Sequence, residues 1–156
     1  MSIDSIKELL DGFDPAAILP DLEKLMALLE PVLRVAVMAG PLCLLGMGLV
    51  YLLASPKEAN HKLGFRCWWG MSSVEVWQFT QRLAGVVWSA LGLILTVVMA
   101  VVCGGFKKLE QDQMMARAVT AIGWELGLVI VSIIAINVTL MVLFDAKGYR
   151  RRRNRI

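Results

Sequence analysis

The side chains with most chemistry to offer lie together in the middle of the chain. From Asn60 to Gly85 the sequence reads N-H-K-L-G-F-R-C-W-W-G-M-S-S-V-E-V-W-Q-F-T-Q-R-L-A-G. Arg66 and Arg82 are permanent cations and Glu75 is an acid. Asn60, Thr80 and Gln81 add hydrogen-bonding groups, and Trp69 and Trp77 add aromatic walls. Gly64 precedes Phe65-Arg66, where the backbone has to be shaped. An arginine fork beside a carboxylate and an amide can hold a phosphate or a peptide carboxylate through paired, charge-assisted hydrogen bonds. Tryptophan and arginine also collect at bilayer interfaces, where the ring sits at headgroup level and the guanidinium snorkels to phosphates. We read Asn60, Gly64, Arg66, Trp69, Glu75, Trp77, Thr80, Gln81 and Arg82 as a candidate site for a ligand or partner.

A second polar set lies within an apolar run. Glu125 is followed at heptad steps by Ser132 and Thr139, which places all three on one face of a helix. Intramembrane carboxylates are costly and often functional. No acid or base faces this one from the other apolar runs, so an interhelical hydrogen-bond stripe is expected rather than a proton relay. Catalytic arrangements are absent: there is no nucleophile elbow, HExxH, phosphate loop or pair of buried carboxylates. The chain reads as a non-enzyme without a cofactor. Cys43, Cys67 and Cys103 form no CxxC, and His61 is the sole histidine, so neither a disulfide nor a metal site is expected.

These residues need elements to position them, and composition says which. The chain is 58% hydrophobic with a mean hydropathy of +0.66, against about 45–50% apolar in soluble domains. Three runs, about 35–54, 83–103 and 118–144, reach the roughly 20 helical residues that cross a bilayer. The expected fold is an all-α integral membrane protein with three transmembrane helices and an N-terminal amphipathic helical segment. The chain divides into that segment (1–30), a three-span membrane domain (31–146) and a basic cytoplasmic tail (147–156). In the first segment Ile3, Ile6, Leu9, Leu10 and Phe13 recur at helical spacing, and a second short helix starts at Asp21 as N-cap. No basic region precedes an apolar core there, so it does not read as a secretory signal.

Charge sets the expected topology. The first thirty residues hold seven acids against two lysines, whereas the chain ends K-G-Y-R-R-R-R-N-R-I. Basic segments next to a span stay in the cytoplasm, which puts the tail inside, the N-terminus outside, and the segment from Ser55 to Arg82 in the cytoplasm of a bacterial cell membrane. A basic tail directly after a span sets topology or touches anionic lipid, so no direct nucleic-acid contact is expected. Ser72-Ser73-Val74-Glu75 has the form of a capping box, with Ser72 as cap and Glu75 reaching back. A helix starting there would project beyond the membrane. Gly85, Ser89, Gly92, Thr96 and Ala100 form a small-residue stripe, as do Ala36, Gly40 and Cys43 around a proline-kinked first span. Such stripes let helices approach closely, within a three-helix bundle or a homo-oligomer.

At the central stretch the sequence resembles the SdpI family of bacterial membrane immunity proteins. Gly64, Phe65, Arg66, Trp69, Glu75, Trp77, Thr80, Arg82 and Gly85 fit that family's pattern in order, and Asn60 stands for the asparagine that often precedes the glycine. Cys67 replaces a usual threonine, and Gln81 a usual histidine or asparagine. The resemblance implies protection against a secreted membrane-active peptide toxin. It also implies a toxin-bound form that holds a transcriptional repressor at the membrane. Membrane lipid, a peptide toxin and a repressor are therefore the expected partners. A different reading is a small transporter or lipid-handling subunit, with the loop on a lipid phosphate and Glu125 lining a path.

Overall fold

The structure, a computed structural model, describes residues 22–57 and 63–151, with side chains from residue 28 onward. The amphipathic helix expected over the first residues, the Asp21 cap, Asn60, His61 and the last five residues lie outside the described part.

Three long helices make up the fold: α1 (Leu22–Leu53), α2 (Val74–Gly104) and α3 (Gln111–Leu143). All are long and apolar enough to cross a membrane. The chain is therefore an all-helical, multi-pass membrane protein. The short helix expected from Asp21 and the first span are one continuous helix. It runs through Pro31 and Pro41, and proline is tolerated in spanning helices because neighbouring groups re-satisfy the freed backbone. Near its start Arg34 donates to Glu30 one turn earlier, at 2.6 Å.

The α2 stripe is used inside the molecule, against α1. A β-carbon built on Gly92 would sit 2.5 Å from the Leu45 amide nitrogen, and one on Gly85 would sit 2.7 Å from the Leu52 side chain. Gly48 on α1 faces Ser89 in the same way. The two backbones are thus in direct van der Waals contact along several turns, and dispersion between them replaces the hydrophobic drive that lipid cannot supply. The third helix packs on this pair through Ala118, Ala121, Ser132, Ile136 and Leu140, which are all buried.

The connection from α1 to α2 folds back on the first turns of α2, and residues after α3 fold back onto the same place. Asp145 Oδ1 accepts from the Lys147 and Tyr149 amides at 3.0 and 2.8 Å, and Gly148 turns the chain at φ 82°. Phe144 then pairs with Arg150 in an isolated antiparallel bridge. The start of what reads as a free basic tail is therefore an ordered turn as far as Arg151.

Candidate functional site

The site is built on the first three turns of α2. Ser73, not Ser72, is the N-cap: its hydroxyl accepts from the Val76 amide at 3.3 Å and donates to the Gly148 carbonyl at 3.3 Å. The Ser72 hydroxyl is engaged one turn back, donating to the Trp69 carbonyl at 2.8 Å and closing a 3-10 turn over Trp69–Met71. The cap is shifted by one residue from the expected one, and the expected capping box does not form. Glu75 is exposed and does not reach back.

From that start, successive turns of α2 point Trp77, Thr80, Gln81 and Gly85 inward and Glu75, Gln78 and Arg82 outward. Trp77 is fully buried and its indole N–H donates to the Pro56 carbonyl at 2.9 Å. Gln81, only 1% exposed, grips the loop with both ends of its amide. Its oxygen accepts from the Phe65 N–H at 2.7 Å and its nitrogen donates to the Phe65 carbonyl at 2.9 Å. Gly64 makes this approach possible. It adopts φ 125°, and a β-carbon there would fall 2.7 Å from the Trp77 ring, so both the backbone angle and the lack of a side chain are required.

Held this way, Phe65 drives into the bundle. Its ring meets Trp88 edge-on at 5.3 Å, and Trp88 also faces Tyr51 at 5.6 Å. The next residue must point the other way, and Arg66 is exposed. The Thr80 hydroxyl is turned to its own helix, donating to the Val76 carbonyl at 2.7 Å, and its side chain lies close under Gly70. The Trp69 indole reaches the Phe144 carbonyl at 3.4 Å, while Trp68 beside it is 91% exposed.

The candidate residues thus divide into two groups. Gly64, Trp69, Trp77, Thr80 and Gln81 have their polar atoms or their shape committed to the protein itself. Arg66, Glu75 and Arg82 are exposed and make no hydrogen bond or ion pair with the other described residues. Arg82 sits between two small clefts. One, of about 240 Å³, is shared with Tyr51, Lys57, Gln78 and Gln81. The other, of about 210 Å³, is shared with Glu75, Phe79, Phe144 and Arg150. The two clefts are cationic, with Lys57, Arg82 and Arg150 against Glu75 and with aromatic walls; Arg66 lines neither. Among the described residues no cluster of metal-ligating side chains is present.

The profile of the SdpI/YfhL protein family matches residues 56–143, more than half of the chain. The chain belongs to that family. The match takes in the loop, α2 and α3, and stops one residue short of the Phe144 turn. No curated protein and no solved structure matches the chain.

Both departures from the SdpI-type pattern keep a hydrogen bond in place. Cys67 accepts from the Gly70 amide through Sγ at 3.2 Å, and a hydroxyl is likewise able to accept. Burial pushes the Cys67 thiol above its ordinary range, partly offset by that Gly70 N–H. Gln81 carries a donor and an acceptor on one flat group, which suits the two backbone atoms of Phe65.

The polar line on α3 does not act as one stripe. Ser132 accepts from the Trp88 indole at 3.1 Å, an interhelical bond. Thr139 and Asn137 instead bond carbonyls of their own helix, Ala135 and Ile133. Glu125 is buried, and its Oε1 has no hydrogen-bond partner among the described residues. Sequence reasoning missed the turn at 144–151, although Asp145 and Gly148 are turn-forming residues at suitable spacing. It also missed Phe65 as an anchor, whose only sequence signal is an aromatic residue between glycine and arginine.

Proposed function

We propose that this SdpI/YfhL protein acts by binding, not catalysis, as a membrane immunity or signal-transducing factor of the SdpI type. It would protect against a membrane-active peptide toxin and hold a regulator at the membrane. The observation that carries the reading is the division of the candidate residues just described. An apparatus of Gly64, Phe65, Trp77 and Gln81 fixes the loop, and Arg66 and Arg82 are left exposed and, among the described residues, unpaired. Cations whose positions are fixed beforehand lose little entropy when they capture an anion. Arg66 and Arg82 take an anionic group of the partner, and a peptide carboxylate fits the paired donors of a guanidinium. Glu75 disfavours purely acidic partners and selects for a mixed charge pattern. Charge asymmetry supports a cytoplasmic site: the loop and the basic turn lie at the same end of the bundle, joined by Trp69–Phe144 and Ser73–Gly148.

The test is survival of cells expressing the chain under challenge with membrane-active peptides. Arg66→Ala and Arg82→Ala are expected to lower protection at least tenfold while the protein still inserts and melts as the parent does. Trp77→Ala is expected to lose protection together with thermal stability, because it removes the loop's support. Unchanged protection in an Arg66→Ala, Arg82→Ala double variant would remove this face from the mechanism. Retained peptide protection alongside lost binding to anionic-lipid vesicles would instead favour the lipid-handling reading, in which the same arginines hold a phosphate.

A further inference from the structure

Glu125 is the only charged residue between Arg117 and Asp145, a stretch of about 40 Å at 1.5 Å per helical residue. Its side chain is 6% exposed, and Oε1 is fully buried without a hydrogen-bond partner among the described residues. The carboxylate lies in the seam between α1 and α3. Its Oε2 is 2.6 Å from where a β-carbon on Gly40 would be, so the glycine makes the space the carboxylate fills. Around it is a cavity of about 150 Å³ whose walls are hydrocarbon, including Ala36, Pro41 and Leu44 of α1, Leu95 of α2 and Ile122 of α3. That is room for about five groups the size of a water molecule, at ~30 Å³ each.

The chemistry of the occupant follows from what the walls lack. An ionised carboxylate in such surroundings is strongly disfavoured: it either takes up a proton or gains a donor or a cation, and only an occupant that supplies one keeps it ionised. The nearest cation on α1, Arg34, is already bonded to Glu30, and Arg117 stands about two helical turns away along α3. A hard metal ion needs six or more oxygen ligands, and among the described residues no acid, histidine or cysteine cluster supplies them. The seam opens toward the lipid-facing side, where Ala36 and Leu126 are exposed. An occupant arriving that way has an apolar body and carries its donors at one end.

We propose that Glu125 and the α1–α3 seam form an intramembrane binding site for a primary ammonium group borne on an amphiphile. The ammonium donates to the carboxylate from the Gly40 side, where Oε2 lies, and its first methylenes fill the cavity against Pro41 and Leu44. This site is separate from the arginine face, and it stands or falls independently of the function proposed there.

The experiment uses full-length protein in phosphatidylcholine nanodiscs, with dodecylamine as probe and dodecanol as its uncharged counterpart. Native mass spectrometry is expected to show dodecylamine bound to the parent, at least tenfold weaker binding to Glu125→Gln, and no matching effect of dodecanol. Glu125→Gln keeps the shape of the side chain, and its melting curve checks that the bundle is intact. As a second readout, dicyclohexylcarbodiimide is added to the complex. The carbodiimide takes up the elements of water to leave the urea, while amine and carboxyl join as an amide. Peptide mapping is expected to find that amide at Glu125. Replacing phosphatidylcholine with phosphatidylethanolamine distinguishes the source: competition with dodecylamine points to a lipid amine, and its absence to a free amphiphile. Equal binding to parent and Glu125→Gln, equal binding of dodecanol, or amide formation only at exposed acids such as Glu75 would overturn the proposal.

Discussion

The Gln81 amide commits both polar atoms to the Phe65 backbone, and this fixes which way Arg66 faces. Removing the clamp leaves a buried N–H and a buried C=O without partners, each costing about 1–3 kcal/mol. Gln81→Leu is therefore expected to destabilise the protein by about 2–6 kcal/mol, read as a lower melting temperature in detergent micelles. Cys67 gives a pH-dependent prediction at the same scale. Its thiol is pushed up by burial, so its stabilising contribution is complete below the unfolded thiol's value and fades as pH rises through the folded one. Maleimide should modify Cys67 slowly near neutral pH and markedly faster in alkali. Cys67→Ser, which keeps an acceptor for the Gly70 amide, should flatten the alkaline loss of stability. Modification as fast as that of a free thiol at neutral pH would contradict the burial described. The candidate residues were legible as a set because polar and aromatic side chains stood out against apolar flanks. Their division of labour was not. Nothing in the order of residues says that the amide of Gln81 fits a backbone sixteen positions away, or that Ser73 rather than Ser72 caps α2. Ser73 is favoured because its hydroxyl also reaches Gly148, a contact that exists only in the folded chain.

At the scale of elements, the contact between α1 and α2 rests on missing side chains. Gly92→Val places a branched side chain where the Leu45 backbone already lies, and backbone cannot give way as a flexible side chain does. We expect this substitution to force the two helices apart and to lower thermal stability severely. Gly123→Val meets nothing within 4 Å on α3 and should fall within about 0.5 kcal/mol of the parent, as a lipid-facing change should. Similar melting curves for the two variants would mean that the helices do not meet as described. The spans were legible because hydropathy is a property of composition. Which helix the small stripe serves was not, since the same stripe suits an internal neighbour or a second copy. The continuity of α1 was hidden by Pro31, which reads as a boundary in water but is accommodated in this helix.

For the whole molecule, the loop and the post-α3 turn lie at one end, and the short α2–α3 connection with Lys107 and Lys108 lies at the other. In a background freed of its native cysteines, single cysteines at Trp68 and Tyr149 should react with an impermeant maleimide only after cells are opened. One at Lys107 should react in intact cells. The reverse pattern would place the arginine face outside and change what it meets. The fold class was open to sequence reading because only helices can satisfy their own backbone within a single segment in hydrocarbon. The seam at Glu125 was only half legible: the acid was plain, but its closeness to Gly40 depends on how α3 leans on α1.

The contacts of Trp69 and Ser73 with Phe144 and Gly148 join positions seventy-five apart in the chain. At about 5–20 residues per second on the ribosome, the cap of α2 waits several seconds for its partner to be made. The join between the start of α2 and the turn after α3 is thus made only once residues 144–148 exist, so a chain stalled before them would hold the Gln81 clamp and yet lack this brace.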